Sequence, residues 1–243
     1  MLHKTNGIVL RSIKYGDSSL ITTIFTSVFG IQTYIVQGVR SSKAKQNRGG
    51  FFQPGMLLEL VVYQQPQKNL QRIREFKAAY IYTELQEDVV KNSISLFSVE
   101  LLLRLLPEQA PLPALYDQAY EYFVALDTMS RHQVANFPLF FIIQCSKVLG
   151  YDLKDIYTNE MQSVNTQEDG FLMYASAMPF INNEDTVILN QLLLADNYGA
   201  LERIGMNADI RLRLIDWFVA YLQQHTQHMG NLKSLSVLRA ILH

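Results

Sequence analysis

The sequence predicts an α+β chain: a small barrel of five short antiparallel strands, followed by an all-helical remainder. Three observations lead there. Segments rich in β-branched residues and separated by turn residues fill the first 82 positions, the apolar period changes to that of helices from about 83 onward, and formal charge divides at nearly the same place. Up to residue 80, eleven Lys and Arg stand against three Asp and Glu, a balance of +8. From residue 81, ten stand against nineteen, a balance of −9, so the near-neutral total of −1 hides two unlike parts. The reading divides the chain at 1–82 and 83–243.

The strands follow in order. Residues 7–13 form the first, stopped by Tyr15, Gly16, Asp17 and Ser18; residues 19–25 form the second, and Gly30 closes that hairpin. Residues 31–39 read as the third. Residues 41–50 offer no apolar face except Ala44 and read as a loop. After Gln53, Pro54 and Gly55 come a fourth strand at 56–63 and a fifth at 70–82. Five strands in about 80 residues is the arithmetic of an OB-fold, a barrel that commonly binds oligonucleotides; an SH3-like barrel has a similar count.

Helices fill the rest. Residues 94–106 are apolar nearly all round, as befits a core helix, and Pro107 ends them. Further helices are read at 114–129, from 131 or 138 to 149 with Gly150 as the stop, at 186–197, at 208–225 and at 234–242. In the 208–225 segment Ile210, Leu214, Trp217, Phe218 and Tyr221 share one face. Between them, 151–186 reads as an irregular insertion, in which 170–174 supplies one strand of a small hairpin.

Composition narrows the function. The longest apolar run, 137–143, is interrupted by Pro138 and falls far short of the roughly 20 residues a spanning helix needs. No secretory leader pattern is visible, and Cys145 is the one cysteine, so no internal disulfide can form and a cytoplasmic location is expected. Phosphate-loop, dinucleotide, zinc-protease and nucleophile-elbow motifs are all missing, which suits a binding protein that works without cofactor or metal.

A basic segment with interleaved aromatics suits a polyanion, because cations on phosphates release condensed counterions. Lys43, Lys45 and Arg48, with Arg40 at the loop's base, are the leading contacts; Arg11, Lys14, Arg72 and Arg74 extend them, the last two on one face by strand alternation. The plain alternative is a loop that is basic for solubility. Tyr15, Phe51, Phe52 and Tyr63 are candidates to stack on bases, whereas Phe25, Phe29, Tyr34 and Phe76 are expected to fill the barrel. His225 and His228 are spaced for a shared metal but lack further ligands nearby, and Cys145 reads as an inert buried thiol.

Several segments, taken in order, resemble the bacterial RecO family of DNA repair proteins. They are Gly7 to Leu10, then Tyr15, Gly16 and Asp17, then Phe25 and Thr26 with Gly30 after them. A small-and-basic run follows Gly38, Val39 and Arg40, and Gln53, Pro54 and Gly55 lead into a strand. Leu149 and Gly150 end a helix, and Leu232 to Leu235 with Val237 and Leu238 close the chain. The resemblance implies an OB-fold barrel and a helical domain. It also implies binding of single- and double-stranded DNA, strand annealing, a RecR-like ring-forming partner, a single-strand-binding protein engaged through its C-terminal tail, and a place at the nucleoid. Arg203, Arg211 and Arg213 are the candidate docking residues for that acidic tail, against the alternative of ordinary salt bridges to Asp209 and Asp216. The family often carries a four-cysteine zinc site after the Leu-Gly helix end; residues 151–186 hold neither Cys nor His, so that site is not expected here. Rival readings are an RNA-binding adaptor and a protein-interaction scaffold that touches no nucleic acid.

Overall fold

The structure is a computed structural model, and it describes residues 1–39, 48–151, 164–165, 170–171, 183–226 and 229–242. Five strands, β1 (Leu2–Tyr15), β2 (Ser19–Thr26), β3 (Gly30–Val36), β4 (Leu57–Tyr63) and β5 (Leu70–Ala78), close into a barrel in the order β1-β2-β3-β5-β4. All pairs are antiparallel except β3 with β5. This Greek-key order decides for the OB-fold over the SH3-like alternative.

Closure depends on β1. The strand starts at Leu2, five residues before the sequence suggested, and pairs with β4 through its first half and with β2 through its second, with a register shift between Val9 and Arg11. Gly7 sits where both partners converge: a Cβ there would lie 2.5 Å from Ile24 Cγ2 and 3.0 Å from Leu60. A strand that must bend around a small barrel needs such a gap in its side-chain row. Alternation then sorts the residues. Leu20 and Ile24, Tyr34 and Val36, Leu58, Leu60 and Val62, and Ile73 fill the core, joined by Val9, Val39 and Phe52. Two polar residues that face inward are bonded, as burial requires: Thr22 donates to the Arg11 carbonyl, and Gln71 bonds the backbone of Gln65 and Lys68, tying the β4–β5 turn.

Two strands end earlier than read. β3 stops at Val36 and β5 at Ala78, and the segment before β4 contains a short 3-10 helix, Arg48–Phe52.

Helices α1 (Val89–Leu105), α2 (Pro113–Thr128), α3 (Arg131–Val134), α4 (Phe137–Leu149), α5 (Asn183–Leu194), α6 (Tyr198–Glu202), α7 (Ala208–His225) and α8 (Ser234–Leu242) follow, with a two-residue hairpin between Val164–Asn165 and Gly170–Phe171. The chain divides into two compact units, Met1–Asp88 with Leu102–Thr128, and Val89–Leu101 with Met129–His243. In the first, Tyr116 of α2 lies edge-on against Phe25 at 5.5 Å, covering the outer side of β2. In the second, Phe137, Phe141, Leu192, Leu214, Trp217 and Tyr221 are buried, and α4 packs on α7 and α5. The helix expected over 186–197 is cut short because Asn197 caps a new one: its Oδ1 accepts the Ala200 N–H at 2.8 Å, starting α6. The Gly150 stop is confirmed, left-handed at φ 78°. Among the described residues no helix is long and apolar enough to cross a membrane.

Candidate nucleic-acid interface

Because paired residues on neighbouring strands face the same way, the register writes out the barrel's outer surface. Ile13 pairs with Ile21, Ile21 with Ile35, Ile35 with Arg72, Arg72 with Tyr63, and Tyr63 with Leu2. These six side chains form one outward row around the barrel, exposed or half-buried throughout: Ile13 is 46% exposed and Tyr63 39%. The next outward row holds Arg11, Thr23, Thr33 and Leu70. Arg11 and Arg72, both exposed, thus stand on either side of an apolar and hydroxyl surface. Following the sheet through β2 and β3, they are three strand spacings across and two residues along from each other, a path of about 16 Å. Tyr15, 54% exposed, ends β1 at the rim. Lys14 shares the inward register of Leu20 and Val36, and is exposed because that row reaches solvent at the barrel's mouth.

The other sequence candidates divide. Arg48 is exposed and its guanidinium lies 4.3 Å over the Phe76 ring, a cation–π contact that holds the end of the basic segment against β5. Arg72 and Arg74 do not share a simple face. Ile73 pairs with Val62 and Glu75 with Val61, leaving Arg74 as the extra residue of a bulge, with its Nε 3.2 Å from Glu75. Arg40, Lys43 and Lys45 lie outside the described residues. Of the candidate stacking rings, Tyr15 and Tyr63 are exposed, while Phe52 is 1% exposed and Phe51 packs on the core beside it; both meet Phe76 edge-on. Phe25 and Tyr34 are buried as expected, although Phe25 fills the seam under α2 rather than the barrel interior.

In the helical unit, Arg213 pairs with the buried Asp185 at 2.7 and 2.9 Å rather than with Asp209 or Asp216. Arg211 donates to Asn136 Oδ1 at 2.8 Å and to the Met206 carbonyl, and partial burial holds its pKa below the ordinary arginine range. Arg203 is exposed at the end of α6. The structure therefore does not gather the three into one pocket of free cations. The His225 ring lies tilted by 40° against Tyr221, with centroids 4.4 Å apart, and His228 lies outside the described residues. Cys145 is buried, and burial pushes its thiol pKa up. Among the described residues no group of three His, Cys, Asp or Glu could hold a metal, and with one cysteine in the whole chain a four-thiolate zinc site does not fit.

The sequence reading did not single out Ile13, Ile21 or Ile35, which it counted only as strand residues. Their alternation with Leu20, Thr22 and Tyr34 was visible, but which phase faces outward is set only by pairing.

Family models described as Recombination protein O N terminal and Recombination protein O C terminal match residues 1–82 and 86–155. Curated relatives named DNA repair protein RecO align along nearly the whole length. The Bacteroides fragilis protein is 31% identical over 99% of both chains, the Phocaeicola vulgatus protein 31% over 99% of both, and the Christiangramia forsetii protein 27% over 99% of both. With barrel and helical part both matched and the relatives spanning the chain end to end, this chain belongs to the RecO family.

Proposed function

We propose that this protein is a DNA-binding recombination mediator of bacterial DNA repair, holding single strands on the outer β1–β2–β3–β5 surface of its barrel and promoting their annealing. The observation that carries the reading is the outward surface itself. Ile13, Ile21, Ile35 and Tyr63 offer apolar and aromatic contact to unpaired bases, Arg11 and Arg72 lie within reach of phosphates, and all belong to the +8 segment. Lys14, Arg48 and Arg74 extend the positive field, and Arg40, Lys43 and Lys45 belong to the same basic run. Residues 1–82 would serve as the nucleic-acid module, for duplex as well as single strands, and 83–243 as the part that recruits a RecR-like ring protein and the acidic C-terminal tail of single-strand-binding protein. In the latter role Arg203 is the most available of the three arginines. The protein acts as a binder rather than an enzyme, in the cytoplasm at the nucleoid.

The test is binding of a fluorescent single-stranded oligonucleotide across a salt series, followed by addition of the complementary strand coated with single-strand-binding protein. Binding that weakens steeply with salt and then accelerates annealing is expected. Absence of binding at low salt refutes the reading, and equal competition by RNA of the same sequence transfers it to the RNA adaptor.

A further inference from the structure

Where the start of β3, the β4–β5 turn and the segment after α1 meet, the first unit contains a crevice of about 330 Å³, lined in part by Thr33, Asn69, Leu70, Glu108 and Gln109. Its wall is held by several independent features. Ile31 and Glu108 form a parallel bridge, the Gln109 N–H donates to the Ile31 carbonyl at 3.0 Å, and Gln109 itself adopts a left-handed conformation at φ 59°. Gly30, at φ 66°, passes so close beneath Ala110 that a Cβ there would strike its backbone. A bulky residue kept in the left-handed region signals a local shape that the surroundings enforce.

The lining decides what fits. It offers three amides, of which Gln32 already donates to the Phe29 carbonyl, together with a hydroxyl and one carboxylate, with Ile31 and Leu70 as apolar walls and no Lys or Arg. A phosphate would meet a carboxylate and no cation, and an aliphatic ligand would leave amides without partners. A flat, neutral heterocycle with a hydrogen-bonding edge satisfies both conditions, and the volume sits at the low end of small-ligand sites, roughly 300–1,000 Å³. Of the four bases, guanine alone presents two adjacent N–H donors on its Watson–Crick edge, the pattern a carboxylate accepts bidentately. Thr33 belongs both to this crevice and to the outward row of Arg11 and Thr23, so a strand on the barrel face leads into it.

We infer that the crevice is a base-reading site that takes one unpaired base of the bound strand, guanine by preference, with Glu108 accepting from its Watson–Crick edge and Asn69 and Gln109 bonding the remaining groups. This rests on the proposed binding of single strands to the barrel.

The experiment compares fluorescence anisotropy titrations of three labelled strands of about fifteen nucleotides, the upper range of one OB-fold's site. One is all thymidine, one carries a central guanine, and one carries inosine in its place, which lacks the 2-amino donor. The guanine strand should bind on the order of tenfold tighter than the all-thymidine strand, with inosine between. Glu108→Gln should erase the difference while leaving all-thymidine binding within about twofold of wild type. Equal binding of all three strands to the wild-type protein overturns the base-reading site, as does a guanine preference that survives in both Glu108→Gln and Asn69→Ala. Failure of even the all-thymidine strand to bind at low salt overturns the nucleic-acid reading and this one with it.

Discussion

Asp127, at the end of α2, is a buried carboxylate that organises a connection. Its Oδ1 accepts the N–H groups of Glu84 and Leu85 at 2.9 and 2.8 Å, its Oδ2 accepts the Thr83 N–H at 3.0 Å, and the hydroxyls of Thr83 and Tyr80 also donate to Oδ2. Burial works to raise its pKa, but the backbone N–H groups of Glu84, Thr83 and Leu85 and the Thr83 hydroxyl outweigh it, so the carboxyl titrates below its ordinary range. With the folded value depressed, the stabilisation is complete above the ordinary carboxylate range and is lost as pH falls through the lower folded value. Asp127→Ala should cost about 3 kcal/mol at neutral pH in urea unfolding, because three N–H groups, that of Leu85 buried and those of Thr83 and Glu84 partly so, lose a charged acceptor. Its stability should also fall less than wild type's between neutral and acid pH; an equal fall would place the acid sensitivity elsewhere. Gly30→Ala should cost about 2 kcal/mol or more, since it meets both a left-handed φ and the backbone of Ala110. Thermal unfolding checks it, and a wild-type midpoint would mean the segment simply moves aside.

At the level of elements, local pattern and long-range partners contribute separately. The start of α8 at Ser234 was readable from its amphipathic period, but what caps it is remote in sequence. The Glu100 carboxylate accepts the N–H groups of Lys233 and Ser234 at 3.0 and 2.8 Å and the Ser234 hydroxyl at 2.6 Å. An anion at a helix start satisfies orphan donors and faces the positive end of the helix dipole. Glu100→Ala should lower stability by about 1–2 kcal/mol and speed amide exchange across 234–242 ahead of the rest of the second unit. Uniform protection would show that packing, through Leu238 and Leu242, holds the helix without its cap. The strands carry the same lesson. Period-2 alternation located β1 to β5, yet it placed Arg74 beside Arg72 because a bulge leaves no mark in the sequence that propensity can read.

For the molecule as a whole, the division of charge makes a quantitative demand. If the +8 segment meets a strand through Arg11 and Arg72, removing either cation from its phosphate should flatten the salt dependence of single-strand binding by about 0.7 in log–log slope. The Arg11→Glu, Arg72→Glu variant should therefore bind more weakly with a slope shallower by about 1.4; an unchanged slope would place strand binding off this face. The sequence by itself determined the fold class, the five strands and most helices, the basic character of the first 82 residues and the lack of a thiolate zinc site, because period, turn residues, charge and cysteine count are local or additive properties. Tertiary structure decided the OB order over its rival. It set which phase of each strand faces outward, making a surface of Ile13, Ile21 and Ile35. It committed Arg213 to Asp185 and Arg48 to Phe76, and it formed the crevice between β3 and Glu108. Each of these depends on which distant segments pair and in what register, and a one-residue shift in register reverses every face.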